Sequence, residues 1–481
     1  MASDIRVRIA PSPTGNLHIG TARAALFNYL FARRYGGAFI LRIEDTDRER
    51  SDKRYEQNIF EGLRWLGIDP DEGPEQGGPS GPYRQTERTD IYEAYLKHLL
   101  ADGKAFYCFH SQAELEGEGR RLLLEKKAPV HACEYRDLSP ADARERAKSA
   151  PDAIIRFKTP PGRQIAFTDL IRGELSFASG LIGDFSIAKS LREPLYHFAV
   201  VVDDHEMKIS HVIRGEDHIA NTPKHILLGE ALGFPVPHYA HLPLILGPDR
   251  SKLSKRHGAT SVANYKNDGY LPEAMVNFMA LLGWSPGEDR EIMSREDMVR
   301  EFSLERVQKS GAVFDFQKLD WMNGEYIRAL SPEKLYERAR DFLPDASLQY
   351  PASYTASVVA LEQPRLKKLS ELAERVGYFF APPVYERELL RWKQMTDRMI
   401  QESLERAERI LSSIPSGVPK AEMERVFLDA IGAGGDKGTL LWPLRVALSG
   451  RKASPGPFEI MAILGTDESA ARIRAARRLF V

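Results

Sequence analysis

Apolar and polar positions alternate at the start of the chain, where Arg6 and Arg8 separate Ile5, Val7 and Ile9 in the period-2 pattern of a strand with one wetter face. The run Pro11-Ser12-Pro13-Thr14-Gly15 breaks that pattern. From Thr21 the period lengthens, and Leu26, Phe27, Leu30 and Phe31 mark the apolar stripe of a helix. Gly36-Gly37 closes it before a second apolar strand at Phe39 to Ile43. Strand, turn, helix and strand form a βαβ unit, which implies a parallel sheet with ligands bound at the carboxyl ends of its strands.

The stretch Pro70 to Pro82, rich in Gly, Pro and acidic residues, reads as a linker, and a mixed region follows it. Strand character returns at Phe198-Ala199-Val200-Val201-Val202, at Val212-Ile213 and at Leu242 to Leu246, so the parallel sheet is split by an insertion. Beyond Pro272 helical periodicity dominates. Ser331-Pro332 is an N-cap and N1 pair, with Leu335, Ala339 and Phe342 on one face of the helix it starts. The expected fold is α/β, a Rossmann-type parallel sheet split by an α+β insertion and followed by an all-α C-terminal region. Its expected boundaries are 1–90 and 191–250 for the two halves of the sheet domain, 91–190 for the insertion, 251–330 for a loop-bearing segment and 331–481 for the helices.

Composition narrows the function only slightly. A chain of 481 residues, 43% of them hydrophobic, can build several ordinary cores. No apolar run reaches the ~18 residues of a membrane span, and Met1-Ala2-Ser3-Asp4 leads directly into a strand without a signal peptide. A cytoplasmic protein without a membrane partner is expected. The two cysteines, Cys108 and Cys133, are too few for a disulfide framework and fit a reducing compartment. A net charge of −1 means that a nucleic-acid partner would be held by local basic patches rather than by a global field.

The chemistry is carried by two separated motifs. His18-Ile19-Gly20 sits where the first helix begins, so the imidazole can donate to a phosphate oxygen while Gly20 leaves room for a nucleotide. Lys252-Leu253-Ser254-Lys255-Arg256, flanked by Gly247-Pro248 and Gly258, reads as a moving loop. Its ammonium groups suit a triphosphate attacked at the α-phosphorus, because they can follow charge onto leaving pyrophosphate. Lys255 is expected to carry the larger share.

Arg8 to Thr21 closely resembles the first signature of bacterial glutamyl-tRNA synthetases, class I enzymes, and Lys252 to Arg256 resembles the second. The resemblance continues through Arg42-Ile43-Glu44-Asp45-Thr46-Asp47, Gly81-Pro82-Tyr83-Arg84-Gln85, Val202-Asp203-Asp204, Arg214-Gly215-Glu216-Asp217-His218 and Asp320-Trp321-Met322-Asn323-Gly324. It implies ligation of L-glutamate to tRNA(Glu) with ATP and Mg²⁺, by a monomer. Within the expected boundaries, the insertion would bind the acceptor end, the loop-bearing segment would contact the stem, and the helices would bind the anticodon. His18, Gly20, Asp217, Lys252, Ser254 and Lys255 would serve ATP. Arg8 and Arg214 would hold glutamate's carboxylates, since a guanidinium can grip them bidentately. Glu44 would bind the ammonium, with Ser12 and Tyr196 completing the pocket. Ser12 and Thr14 favour glutamate over glutamine. One departure is Val200, where some members have Asn, so a side-chain amide contact is missing.

Asp203-Asp204-His205 invites a metal reading, but the expected role is the polar end of a buried strand near the acceptor end of tRNA. In the insertion, Cys108, His110, His131 and Tyr135 match the spacing of a zinc knuckle found in some family members, with altered ligand types. Tyrosine is a poor zinc ligand, so a structural loop with residual ligands is expected and zinc is the alternative, with Cys133 near enough to replace one residue. In the helical third, Arg472, Arg474, Arg477 and Arg478 suit either an RNA surface or a solvated face. Gln363-Pro364-Arg365-Leu366-Lys367 resembles the helix segment in which discriminating members carry an arginine against the third anticodon base. Arg365 is expected there, and a two-residue shift would place Gln363 there instead.

Overall fold

The computed structural model describes residues 4–480 apart from 129, 151, 288 and 433–434; the Lys255 side chain also lies outside the described residues. The chain forms two compact units, one running up to Lys266 and resuming over Pro272–Phe316, the other made of Asn267–Leu271 and Gln317 onward.

In the first unit, β1 (Arg6–Ile9) and β2 (Ala38–Leu41) pair in parallel, from Arg6 against Ala38 to Ile9 against Leu41, across α1 (Ile19–Tyr35). This is the expected βαβ unit. Leu26, Phe27, Leu30 and Phe31 are all buried, and α1 ends at Gly36, whose φ of 64° suits glycine.

The run Phe198 to Val202, expected as a strand, is instead the middle of α2 (Tyr196–Glu206). All five residues are buried, so neither face is polar and no helical period shows; burial then overrides the strand preference of three valines. β3 (His211–Gly215), α3 (Thr222–Leu232) and β4 (His238–Leu242) follow, with β3 and β4 parallel. The strand expected at Leu242 to Leu246 therefore lies earlier. Pro243, which lacks an N–H, ends the ladder, and Ile245–Leu246 pairs separately with Ala312–Val313. The Ser210 N–H donates to the Arg6 carbonyl at 2.9 Å, joining the start of β3 to β1.

Two further departures concern the connections. Pro70 to Pro82 is no loose linker: the Asp71 N–H bonds Phe39 O at 2.8 Å and the Leu41 N–H bonds Glu72 O at 2.9 Å, so this segment lines the free edge of β2. Buried Glu72 accepts from the Tyr83 hydroxyl at 2.6 Å and pairs with Arg6 at 2.8 Å. The insertion carries an antiparallel sheet in the order Ala105–Cys108, Ile154–Phe157, Phe185–Ser190, Glu193–Pro194. The hairpin Gln164–Asp169 and Gly173–Ala178 instead joins β4 through Tyr239 and Asp169.

The regular elements described in the second unit are all helices, α or 3-10. Ser331 caps the helix Pro332–Ala339, and Leu335 and Ala339 are buried on its inner face, as the spacing predicts. Phe342 falls in the following 3-10 turn. No described helix is long and apolar enough to cross a membrane.

Candidate active site

A cavity of about 560 Å³ opens at the carboxyl ends of β1 and β3, lined by Arg8, Ser12, His18, Gly20, Glu44, Tyr196, Val200, Arg214, Asp217 and Lys252. Nearly all the residues expected to bind ATP or glutamate thus meet in one place. Ser254 lies just beyond the lining, its N–H donating to His257 Nδ1 at 3.1 Å. The Lys255 side chain, expected to carry the larger catalytic share, lies outside the described residues; its backbone opens the single 3-10 turn Lys255–His257.

The two signatures are stitched together by backbone. The Ile19 N–H donates to Thr260 O at 2.8 Å, and the Val262 N–H to Leu17 O at 2.9 Å. His18 is the N-cap of α1, and its Nδ1 accepts from the Gly20 N–H at 3.0 Å. That bond fixes the tautomer: Nε2 carries the hydrogen and is the atom free to donate to an anion. Burial, and then the charge of Lys252, hold His18 below its ordinary pKa, so it caps α1 as a neutral ring. Lys252 is exposed and lies 3.4 Å from Asp217.

Beneath the cavity lies an ion-pair knot whose partners sequence reasoning missed. Arg8 grips Asp204 through two bonds of 3.0 and 3.2 Å, and Arg42 donates to Asp204 at 2.7 Å and to Glu44 at 3.2 Å. Fully buried Asp203 accepts from Arg88 at 2.7 Å, Gln85 at 2.8 Å and Tyr92 at 2.9 Å. The two aspartates are therefore helix residues, not strand ends, and their carboxylates are taken up by arginines at the floor of the site. The signal for this was the number of arginines in the early motifs, which require carboxylate partners if buried. Burial pushes the Glu44 carboxyl up against the opposing pull of Arg42 and Arg8. An arriving ammonium would favour its charged form.

Arg214 differs from Arg8. It is buried, has no ion-pair partner among the described residues, and burial lowers its pKa. A cation held this way is poised for an anion from outside.

In the insertion, four ligand atoms from Cys108, His110, His131 and Cys133 lie within 4.8 Å of one another. Cys133 supplies the corner expected from Tyr135. Tyr135, in a 3-10 turn, packs its ring 5.1 Å from that of His110, but its hydroxyl accepts from Arg146 at 3.2 Å and the Arg146 guanidinium covers the ring. Cys108 Sγ lies 3.5 Å from His110 Nδ1 and 3.7 Å from His131 Nε2, and Cys133 Sγ lies 3.7 Å from His110 Nδ1. Tetrahedral zinc with bonds of ~2.3 Å to sulfur and ~2.0–2.1 Å to nitrogen requires S···N edges of roughly 3.5 Å, so the residues fit the metal.

In the second unit, Arg365 sits in the 3-10 turn Gln363–Arg365 rather than in a helix. With Arg375, Arg445, Arg451 and Lys452 it lines a basic pocket of about 230 Å³. Gln363 is committed elsewhere, its Nε2 donating to Ile327 O at 2.9 Å and Leu330 O at 2.8 Å. Three of the terminal arginines are structural ties: Arg472 donates to Tyr378 O and Leu448 O, each at 2.7 Å, while Arg474 and Arg477 pair with Glu408.

Comparison with known proteins agrees with this geometry. Residues 4–321 match the family model of the catalytic domain of class I tRNA synthetases (E and Q), and residues 334–477 match that of the anticodon binding domain. The chain is 48% identical to glutamate–tRNA ligase 1 of Syntrophomonas wolfei, over 98% of this chain and 96% of that protein. It is 46% identical to glutamate–tRNA ligase of Carboxydothermus hydrogenoformans, over 98% and 99%. The crystal structure of a glutamate tRNA ligase from Elizabethkingia meningosepticum in complex with its amino acid superposes with a TM-score of 0.88 at 35% identity, covering 99% of both chains. With both domain models matched in order and such relatives aligned end to end, this chain belongs to the glutamate–tRNA ligases of the class I aminoacyl-tRNA synthetases.

Proposed function

We propose that the cavity joins L-glutamate to tRNA(Glu) in two steps at the expense of ATP. An oxygen of the α-carboxylate attacks the α-phosphorus and the bond to pyrophosphate breaks, giving glutamyl-adenylate. The 2′-hydroxyl of the terminal adenosine then attacks the activated carbonyl, AMP departs, and the hydroxyl proton passes to solvent. Neither step needs a base of tuned pKa; both rest on placement and on charge matched to the transition state. His18 Nε2–H and the lysine loop would hold the phosphates, Gly20 would leave room for the nucleotide, and Asp217 would steady Lys252. Glu44, Ser12 and Tyr196 would seat the amino acid. Mg²⁺ would arrive on ATP, where it neutralises phosphate charge. Among the described lining residues the carboxylates are Glu44, which faces Arg42, and Asp217, which faces Lys252. We read the protein as a cytoplasmic monomer.

The observation that carries this reading is the buried Arg214 without a carboxylate, in a cavity whose rim holds both phosphate-binding signatures. Arg214→Ala should raise the glutamate requirement by roughly 10- to 150-fold, the equivalent of ~1.5–3 kcal/mol for a lost charge-assisted bond, while the ATP requirement moves little. Pyrophosphate exchange with tRNA present measures both constants; equal shifts would make Arg214 structural.

Two finer assignments follow. Zinc would be held by Cys108, His110, His131 and Cys133, crosslinking strand Ala105–Cys108 to the loop before the Glu134–Asp137 turn. Metal analysis of the purified protein should find about one zinc per chain, lost in Cys108→Ser/Cys133→Ser; metal-free wild-type protein would return the cluster to a structural loop. Arg365, lining the basic pocket where Gln363 cannot, would favour cytosine over guanine at the third anticodon base by donating to its carbonyl oxygen, a preference of ~1–3 kcal/mol. Arg365→Gln should then charge tRNA(Gln) measurably better relative to tRNA(Glu), and unchanged selectivity would remove Arg365 from discrimination.

A further inference from the structure

A guanidinium has only hydrogens to offer, so every atom that holds it must accept. Around Arg214 the acceptors are unusual. Its Nε lies 3.2 Å from His241 Nε2, its Nη1 lies 3.3 Å from His225 Nδ1, and its Nη2 donates to the Thr222 hydroxyl at 2.8 Å. The guanidinium also lies over the Tyr239 ring, 5.6 Å from its centroid. Two neutral imidazoles, a hydroxyl and, at 3.4 Å, the His218 carbonyl thus occupy the places that Asp204 takes around Arg8.

The geometry sets both tautomers. His241 Nδ1 lies 2.6 Å from buried Asp169 and must carry the hydrogen, leaving a lone pair on Nε2 for Arg214. His225 Nδ1 must likewise be bare, so its hydrogen is on Nε2, 3.2 Å from His197 Nδ1. Asp169 in turn accepts the N–H groups of Ile171 at 2.9 Å and Arg172 at 2.8 Å, which fixes it in the hairpin turn. Burial, reinforced by the charge of Arg214, holds His225 well below its ordinary pKa, and burial also lowers His241.

We propose that His225 and His241 are positioning residues for the substrate carboxylate: neutral acceptors that aim Arg214 without neutralising it. The proposal rests on Arg214 as the carboxylate anchor. A carboxylate in either place would compete with glutamate for the same cation; an imidazole lone pair fixes the plane of the guanidinium and leaves its charge available. The free site thus divides the work. Arg8 meets the substrate with its charge already shared with Asp204, and Arg214, held by histidines, supplies the unshared charge.

The test uses the full-length enzyme with tRNA in pyrophosphate exchange, comparing Arg214→Ala, His225→Leu and His225→Asn. The amide oxygen of Asn can stand where Nδ1 stood, whereas Leu offers no acceptor. His225→Leu should raise the glutamate KM roughly 10-fold with kcat and the ATP KM within about 2-fold, and His225→Asn should recover most of the loss. An ordinary packing role would disturb both substrates and would not be rescued by Asn. Nitrogen NMR of histidine-labelled wild-type protein reads the tautomer without any substitution, and His225 should show a bare Nδ1 and a protonated Nε2. A protonated Nδ1, or a His225→Leu enzyme with the parent's glutamate KM, overturns the proposal. If Arg214→Ala keeps the parent's glutamate KM, the anchor itself fails. If Arg214→Ala raises it and His225→Leu does not, only the role of the imidazoles fails.

Discussion

Asp203→Ala is expected to lower the unfolding free energy of the first unit by about 3–5 kcal/mol, the cost of leaving a buried charge without its partner. Asp203 and the Arg88 side chain are essentially inaccessible to water, and Arg88 Nε donates to Asp203 at 2.7 Å. Gln85, Tyr92 and Arg42 also converge on the same carboxylate, Arg42 Nε at 3.6 Å. Removing it leaves Arg88 Nε, the Gln85 amide and the Tyr92 hydroxyl without their acceptor in a buried region, while Arg42 keeps Asp204 and Glu44. The reference is the paired state, so the loss exceeds what an exposed ion pair would show, ~0–1 kcal/mol. Calorimetry should place the variant's first transition on the order of 10 °C below the parent's. A transition within a degree or two of the parent's would show that the knot stabilises nothing.

Lys255→Ala should slow adenylate formation by roughly 10²-fold or more while tRNA affinity stays nearly intact, because the ammonium acts on charge that develops only as pyrophosphate leaves. Its segment is anchored on both sides. The Leu253 N–H bonds Ile245 O at 2.9 Å, and beyond Gly258 the Val262 N–H bonds Leu17 O at 2.9 Å, beside His18. Lys252→Ala should cost less, since Lys252 already shares its charge with Asp217 at 3.4 Å. Single-turnover activation with saturating glutamate and ATP measures the effect. An unchanged rate for Lys255→Ala would remove it from the chemistry.

The local patterns of the chain carried the βαβ start, the capped helix at Ser331, the all-helical last third and the two phosphate-binding signatures, because each depends on neighbours within a few residues. The matching signatures also offered Arg8, Ser12, His18, Glu44, Tyr196, Arg214, Asp217 and Lys252 as candidates, and the fold gathers them into one cavity. What sequence could not give is what depends on neighbours distant in the chain. Phe198 to Val202 looks the same as a buried strand or as a helix enclosed on every side, and only packing chose the helix. That choice turned Asp203 and Asp204 into the counter-ions of Arg42, Arg88 and Arg8, three arginines whose need for partners was visible while the partners were not. Cys133, not Tyr135, brings its ligand atom close to those of Cys108, His110 and His131, while the Tyr135 hydroxyl meets Arg146. Pro70 to Pro82 became a sheet edge because β2 had backbone hydrogen bonds to satisfy. Around Arg214, the sequence showed a guanidinium and several histidines far apart. Only the parallel pairing of β3 with β4, the position of α3 and the hairpin carrying Asp169 made them a site, since hydrogen bonding acts over about 3 Å and has no regard for distance along the chain.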